Sequence, residues 1–347
     1  MTIMPKKPRF FLGVDTGGTK THALIADEHG QAVGFGAGGP GNHESVGYEG
    51  FTQSLNEAVR AALDSAGITR DHINGAGFGV AGYDWPYEKP VTYETIATLG
   101  LKAPLAAVND TVLGILAGSP EGWGVAVVSG TGCNCWGWDH ARTREGHVTG
   151  GGILMGEGAG ATELVFKAVQ AVAHAWTGRG PATSLSQAFA QYTGAASIDD
   201  LIQGLMGYKY QLDAAAAPVI FKTAGAGDTV AEELIRWAGT ELGELANAVI
   251  RQLNFEPLEF DVVQIGSMYD GSPLLTQSMR QKIHTVAPKA RLVRLTVPPV
   301  VGAVLLGMEQ VGIQPDQSIR HQLAESIKQI PQNSRPSNGT NSMASAL

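Results

Sequence analysis

Phe10-Phe11-Leu12-Gly13-Val14-Asp15-Thr16-Gly17-Gly18-Thr19-Lys20-Thr21 is an apolar run that stops at an acid and crosses two adjacent glycines. A second apolar run then follows, to Asp27. The pattern predicts strand, tight turn, strand. Adjacent glycines between paired strands expose backbone N–H groups in a concavity suited to phosphate oxygens. Thr19 and Thr21 add hydroxyl donors, Lys20 adds positive charge, and Asp15 at the strand end is placed to hold a hydrated magnesium ion. The turn is not a P-loop, which needs Gly-Lys-Ser/Thr opening a helix; here Lys20 follows Thr19 and a strand follows. Taken alone, these residues fit an ordinary glycine hairpin equally well.

Outward from this turn, a third strand is expected near Ala32–Phe35. Phe51, Leu55, Ala58, Val59, Ala62, Leu63 and Ala66 recur at helical spacing, with Gly67 placed to end the helix. Ile73–Val80 reads as a buried strand, Val91–Leu99 as a helix and Leu105–Val108 as a short strand ending in Asn109-Asp110. The second half opens the same way. The apolar strand Val125–Ser129 runs into Gly130-Thr131-Gly132, and Cys133–Trp138 could be its hairpin partner. Helices follow at Glu163–Trp176, Leu185–Tyr192 and Val230–Leu253. Then come a strand at Asp261–Ile265, a helix at Leu274–His284, a strand at Arg291–Leu295 and a last helix at Pro299–Val311. Two halves that each open with a strand running into a Gly/Thr turn form a weak internal repeat, with a boundary near Leu113–Gly118. Residues 331–347 are rich in Ser, Asn and Pro and read as a disordered tail.

The chain has 347 residues, 44% hydrophobic and 16% charged, which suits two globular domains. No stretch approaches the roughly 18 apolar residues of a membrane span. The apolar run Phe10–Val14 is too short for a signal-peptide core, so a cytoplasmic protein is expected. A net charge of −8 without a basic stripe argues against nucleic acid. The two cysteines, Cys133 and Cys135, lie on one expected strand and are not expected to pair with each other. They are too few for a zinc site and read as buried, reduced thiols. The 46 glycines are the main anomaly and suggest backbone approaching a ligand at several places.

Three further motifs carry chemistry. Gly130-Thr131-Gly132 is a natural second phosphate clamp, or a plain tight turn. Asp110 is either a helix N-cap or a general base that takes the proton of an acceptor hydroxyl. Gly150-Gly151-Gly152, Gly156-Glu157-Gly158 and Gly160 allow a close substrate approach, or mere flexibility. Gly36-Ala37-Gly38-Gly39-Pro40-Gly41 matches G-x-G-x-x-G by letter, but Pro40 and the polar residues after it do not open the helix a dinucleotide fold requires.

Together, the Asp15–Thr21 loop, Gly38-Gly39-Pro40-Gly41-Asn42, Asn109-Asp110, Ser129–Cys135 and the glycine loop Gly150–Gly160 resemble the BadF/BadG/BcrA/BcrD ATPase family, in its N-acetylglucosamine kinase branch. The likeness runs from about Phe10 to Gly312. It implies an α/β chain of two ribonuclease-H-like (actin-like ATPase) domains with a nucleotide cleft between them: residues 1–115, then 116–330 with a helical insertion. It implies ATP and Mg²⁺, with Asp15 and Asp110 at the metal and Gly17, Gly18, Thr19 and Lys20 on the β- and γ-phosphates. Gly130, Thr131 and Gly132 would form the second clamp, and Gly266, Ser267 and Met268 the adenosine loop, with Gly302-Ala303 near it. Asp110 would be the catalytic base. Asn42, Asp110, Thr131, Gly150, Gly151 and Glu157 would meet a small-molecule sugar. The expected partners are that sugar and a second copy of the chain, a homodimer, with no nucleic acid and no membrane.

Kinases of this branch carry Gly-Gly-Trp-Gly and then Gly-Asp-Glu-Gly in the sugar loop. Here the tryptophan is missing and one acid, Glu157, stands for either member of the acidic pair. The expected activity is ATP-dependent phosphorylation of an amino sugar or related hexose. The alternatives are an ATPase activator or kinase of another small acceptor, and a non-catalytic nucleotide- or sugar-sensing module.

Overall fold

The run at Phe10 forms β1 (Phe10–Thr16), antiparallel to β2 (Thr21–Asp27) with Thr16 opposite Thr21. The computed structural model describes residues 8–330, and the expected disordered tail at 331–347 lies outside the described residues. β3 (Ala32–Gly38) pairs with β2 and continues to Gly38 rather than stopping at Phe35. α1 (His43–Ala66) lies across it. A Cβ at Gly34, Gly36 or Gly38 would strike the carbonyl oxygens of Ala62, Ala58 and Ser54 in turn. Part of the glycine excess therefore lets a helix sit close on a sheet, which corrects the reading that glycines mark ligand-facing loops.

α1 begins at His43, well before Phe51, because Asn42 caps it: Asn42 Oδ1 accepts from the Glu44 N–H at 2.8 Å. Gly47, at φ 68°, interrupts the helix, and Gly67, at φ 66°, ends it. β4 (Ile73–Val80) then lies parallel to β1. After α2 (Lys89–Ala97), β5 (Leu105–Asn109) lies parallel to β4 and leads into α3 (Asp110–Gly118). The sheet order is β3-β2-β1-β4-β5.

The pattern then repeats. β6 (Gly124–Ser129) pairs antiparallel with β7 (Cys133–Trp138), which pairs with β8 (Glu145–His147). Five helices follow: α4 (Ala161–Trp176), α5 (Leu185–Thr193), α6 (Ile198–Met206), α7 (Ala217–Gly225) and α8 (Thr229–Leu253). The sequence reading had no helix at α6 or α7. β9 (Asp261–Ile265) lies parallel to β6, and after α9 (Pro273–His284) β10 (Arg291–Arg294) lies parallel to β9. The order β10-β9-β6-β7-β8 reproduces the first sheet strand for strand.

α10 (Val300–Glu309) packs on β1 and β4, and it is not the last helix: α11 (Gln317–Ser326) follows. Gly13 and Gly77 give α10 its seat, since a Cβ on either would meet the backbone of Val304 or Ala303. The first sheet is thus covered on both faces. Leu12, Val14, Ile25, Phe51, Leu55 and Phe78 fill one side, and Phe11, Leu24, Val304, Leu305 and Met308 the other. Full burial of such side chains stabilises by about 1.5–3 kcal/mol each. The chain forms two compact units, one running up to Pro120 and resuming at Thr296, the other spanning Glu121–Leu295. Among the described residues no helix is long and apolar enough to cross a membrane.

Candidate active site

In the first unit the β1–β2 turn is closed by the Gly17 N–H donating to the Lys20 carbonyl at 2.9 Å. The Gly41 N–H donates to the Gly17 carbonyl, also at 2.9 Å, which brings Asn42 beside the turn. Gly18, Thr19 and Lys20 are exposed, and a Cβ at Gly18 would meet nothing within 4 Å. Neither Gly17 nor Gly18 takes a positive φ, so the pair serves open space and not a left-handed turn. Thr21 is fully buried, and its hydroxyl lies under Gly41 with no hydrogen-bond partner. Asn42 spends its carbonyl oxygen on the helix cap and directs its Nδ2 at Glu44 Oε2, 3.4 Å away.

Asp15 and Asp110 are close enough to titrate together. Loss of hydration raises Asp15 to about 7, repulsion from Asp110 adds to the rise, and Lys20 opposes it. Burial likewise raises Asp110 to about 7, with Asp84 adding and hydrogen bonds from Thr111 opposing. Both side chains keep some surface, yet each lies deep enough to lose its water shell. The helix cap falls to Asn109, whose Oδ1 accepts from the Thr111 N–H at 2.9 Å. Asp110 is therefore the first helical residue, and its carboxylate is not the cap.

A divalent cation would relieve the repulsion between these carboxylates. One or two carboxylates is what Mg²⁺ takes from protein when water and phosphate oxygens complete its shell. Among the described residues no group of three or more His, Cys, Asp or Glu forms an all-protein metal cage.

In the second unit the turn after β6 lies on the N-terminus of α4. The Ala161 N–H donates to the Gly130 carbonyl at 2.8 Å and the Thr162 N–H to the Thr131 carbonyl at 3.0 Å. Thr131 and Gly132 are exposed, and a Cβ at Gly130 or Gly132 would meet nothing within 4 Å. Gly266, at φ 105°, passes so close to Ser129 that a Cβ would strike its carbonyl, which sets the turn after β9 beside the turn after β6. Arg294 braces this turn, donating to the carbonyls of Gln264 (2.9 Å) and Gly266 (2.8 Å) and pairing with Asp270 at 3.0 Å. Ser267 is exposed, whereas the Met268 side chain belongs to the core. Gly302 packs on the Leu113 carbonyl in the first unit.

The glycine loop folds around Glu157. Its Oε1 accepts from the Thr149 N–H at 2.7 Å, and its N–H donates to the Gly152 carbonyl at 2.9 Å. Glu157 is buried, and its Oε2 has no hydrogen-bond partner. Gly150, at φ 71°, and Gly151 are exposed on the loop. Cys133 and Cys135 are free thiols, as expected. Burial pushes Cys133 up to about 11 and Cys135 higher still, so both stay protonated at neutral pH.

A family model described as the BadF/BadG/BcrA/BcrD ATPase family matches residues 12–307. The chain belongs to this family. Among curated relatives of this ATPase-family chain, it is 26% identical over 311 residues to an N-acetyl-D-glucosamine kinase of Dictyostelium discoideum, covering 86% of this chain and 97% of that one. It is 24% identical over 307 residues to an N-acetylmuramic acid/N-acetylglucosamine kinase of Clostridium acetobutylicum, covering 87% and 99%. A candidate N-acetylglucosamine kinase from Chromobacterium violaceum shares the fold at 23% identity and TM-score 0.62, over 86% of this chain and 98% of that one. A ROK family glucokinase from Streptomyces griseus, solved with glucose and AMPPNP, does so at 20% identity and TM-score 0.57, over 86% and 99%. The fold of this family member is thus the two-domain actin-like one.

The sequence reading missed the turn after β4, Ala81-Gly82-Tyr83-Asp84-Trp85. Asp84 Oδ1 accepts from Asn109 Nδ2 at 2.6 Å, so it orients the cap that precedes Asp110. Glu88 holds the turn, its Oε2 accepting from the N–H groups of Asp84 (2.9 Å) and Trp85 (2.8 Å) while Oε1 faces His43 Nε2 at 3.6 Å. A strand running into glycine and then an acid was the available signal, the reverse of the acid-then-glycine order at Asp15.

Proposed function

We propose that this family member is an ATP-dependent carbohydrate kinase that transfers the γ-phosphoryl group to a hydroxyl of an amino sugar or related hexose. The observation that carries the reading is Asp110: a half-buried carboxylate relieved of capping duty by Asn109, close to Asp15 and titrating near 7. A carboxylate poised near the working pH suits a general base. It takes the proton of the acceptor hydroxyl, the freed oxygen attacks the γ-phosphorus in line, and the bond to the leaving ADP oxygen breaks. Asp15 and Asp110 would hold Mg²⁺, which neutralises phosphate charge when bound. The uncluttered backbone at Gly18, Gly130 and Gly132 supports phosphate binding, because a side chain there would occupy space a phosphate needs. The unpartnered Glu157 Oε2 supports acceptor binding, because a buried acceptor without a donor is costly and a sugar hydroxyl supplies one.

The names of the curated relatives point to the same acceptor class. The test is ADP release with ATP and Mg²⁺ against glucosamine, N-acetylglucosamine, N-acetylmuramate, glucose and N-acetylmannosamine. Release that depends on one of these sugars is expected. ATP hydrolysis indifferent to all five would overturn the reading.

A further inference from the structure

Where the glycine loop meets α4 and α8, Gly156, Gly158, Phe166, Lys167, Trp237 and Glu241 line a cavity of about 290 Å³. It lies wholly within the second unit, and its loop wall flanks Glu157. The indole of Trp237 shares the lining with Glu241, and Lys167 Nζ lies 5.3 Å from its ring centroid. A Cβ at Gly158 would come to 3.7 Å from the Trp237 ring, so a side chain there would reach the half-buried indole, and glycine leaves that space open. Phe166 and Ile153 at the mouth are 48% and 53% exposed, apolar area that nothing in this unit covers.

The size and the lining narrow the occupant. Pockets that hold a whole small ligand run from about 300 Å³ upward, so this one suits a single sugar ring or its substituent and not a nucleotide. Glu163 also lines it, its Oε2 held by the Gly160 N–H at 2.9 Å. Two carboxylates against one ammonium leave an acidic surplus, which favours a neutral ligand with N–H or O–H donors over an anion. An indole face takes C–H groups, and carboxylates take hydroxyl and amide donors.

We propose that this cavity is the specificity pocket for the acceptor, with the neutral acylamino substituent of an amino sugar packed against Trp237 and its donors turned to the pocket carboxylates. The inference rests on the kinase reading. It names Trp237, on a helix remote in sequence from the loop, as the residue that sets acceptor preference.

The experiment is steady-state ADP release with N-acetylglucosamine, N-acetylmuramate and glucose for the wild type, Trp237→Ala and Trp237→Phe. Melting temperatures serve as the control for folding. Trp237→Ala should raise the KM for N-acetylglucosamine about 10-fold or more. The KM values for glucose and ATP should move less than about twofold, because neither needs the wall. Trp237→Phe should restore most of the loss, and wild-type N-acetylmuramate, which bears a carboxylate, should be the poorer amino-sugar substrate. Equal shifts for both sugars, a shift in the KM for ATP, or preference for N-acetylmuramate would overturn the proposal. So would a change in mass by light scattering, which would make the pocket a self-association surface. If no sugar supports turnover, the kinase reading fails on its own. Calorimetric titration of N-acetylglucosamine into the wild type and Trp237→Ala then still decides the pocket: binding lost in the variant upholds it, and equal or absent binding sinks it.

Discussion

Replacing Asp110 by Asn should stabilise the metal-free protein at neutral and alkaline pH while removing its activity. The unfolded chain ionises this carboxyl near 3.8, whereas the folded chain holds the proton to about 7. Between those values the folded state binds more protons than the unfolded state. Stability conferred by the protonated form is therefore fully present below about pH 4 and lost as pH climbs through 7. A shift of about three units corresponds to about 4 kcal/mol at most. Asp110 keeps some solvent contact and shares its repulsion with Asp15, so about 2 kcal/mol is the working figure. Urea unfolding in EDTA from about pH 4.5 to 8.5 measures this. The wild type should lose stability across the window, and Asp110→Asn should lose about half as much. Mg²⁺ with nucleotide should flatten the wild-type slope. Turnover should fall about 10²-fold or more in the variant, with nucleotide affinity nearly intact. Parallel pH curves for wild type and variant would refute the reasoning, since the carboxyl would then carry no folding-linked proton.

Four further outcomes are expected. Gly18→Val should leave the unfolding free energy within about 0.5 kcal/mol, because its Cβ meets nothing, yet weaken ATP binding in a titration. Gly36→Ala should cost about 1–3 kcal/mol by driving a methyl into the Ala58 carbonyl, read as a shifted urea midpoint with unaltered slope. Glu157→Gln should raise the acceptor KM and leave the KM for ATP alone, checked by the same ADP-release assay. Cys133 should resist iodoacetamide below about pH 9, because burial keeps the thiol protonated; rapid alkylation at neutral pH, followed by mass spectrometry, would contradict its environment.

Much of the fold was legible because its signals are local. The β1–β2 turn, the strand ends at Asp110 and Gly266, and the helical stripe of α8 all announce themselves within a few residues. What stayed hidden depends on packing between segments far apart in sequence. Nothing in Val300–Glu309 says that it lies on β1 and β4, and the glycines that seat it, Gly13 and Gly77, look from sequence like any other glycine. α1 was read from its apolar stripe, so its polar first turns, capped by Asn42, were invisible to that criterion. At the site, Asp15 and Asp110 were readable as strand-end acids, but their coupling was not. Asp84 acts through Asn109, and Trp237 reaches the glycine loop from another helix.

The duplicated topology makes the difference between the two units chemically informative. In the first, β1 ends Val14-Asp15-Thr16 and β5 runs into Asp110, so both carboxylates stand at strand ends of one sheet. The matching ends in the second are Val127-Val128-Ser129 on β6 and the cation Arg294 on β10, and no carboxylate occupies either. Arg294 is committed to bracing the Gly266 turn, and the carbonyls of Gly130 and Thr131 are committed to α4. One copy of the repeat thus keeps the groups that titrate near neutrality and can hold a cation. The other carries a hydroxyl and exposed glycine backbone at the matching strand ends and, beyond them in sequence, the loop around Glu157. Asp110→Asn and Glu157→Gln therefore probe different copies of the repeat, and the first should act on turnover while the second acts on the acceptor KM.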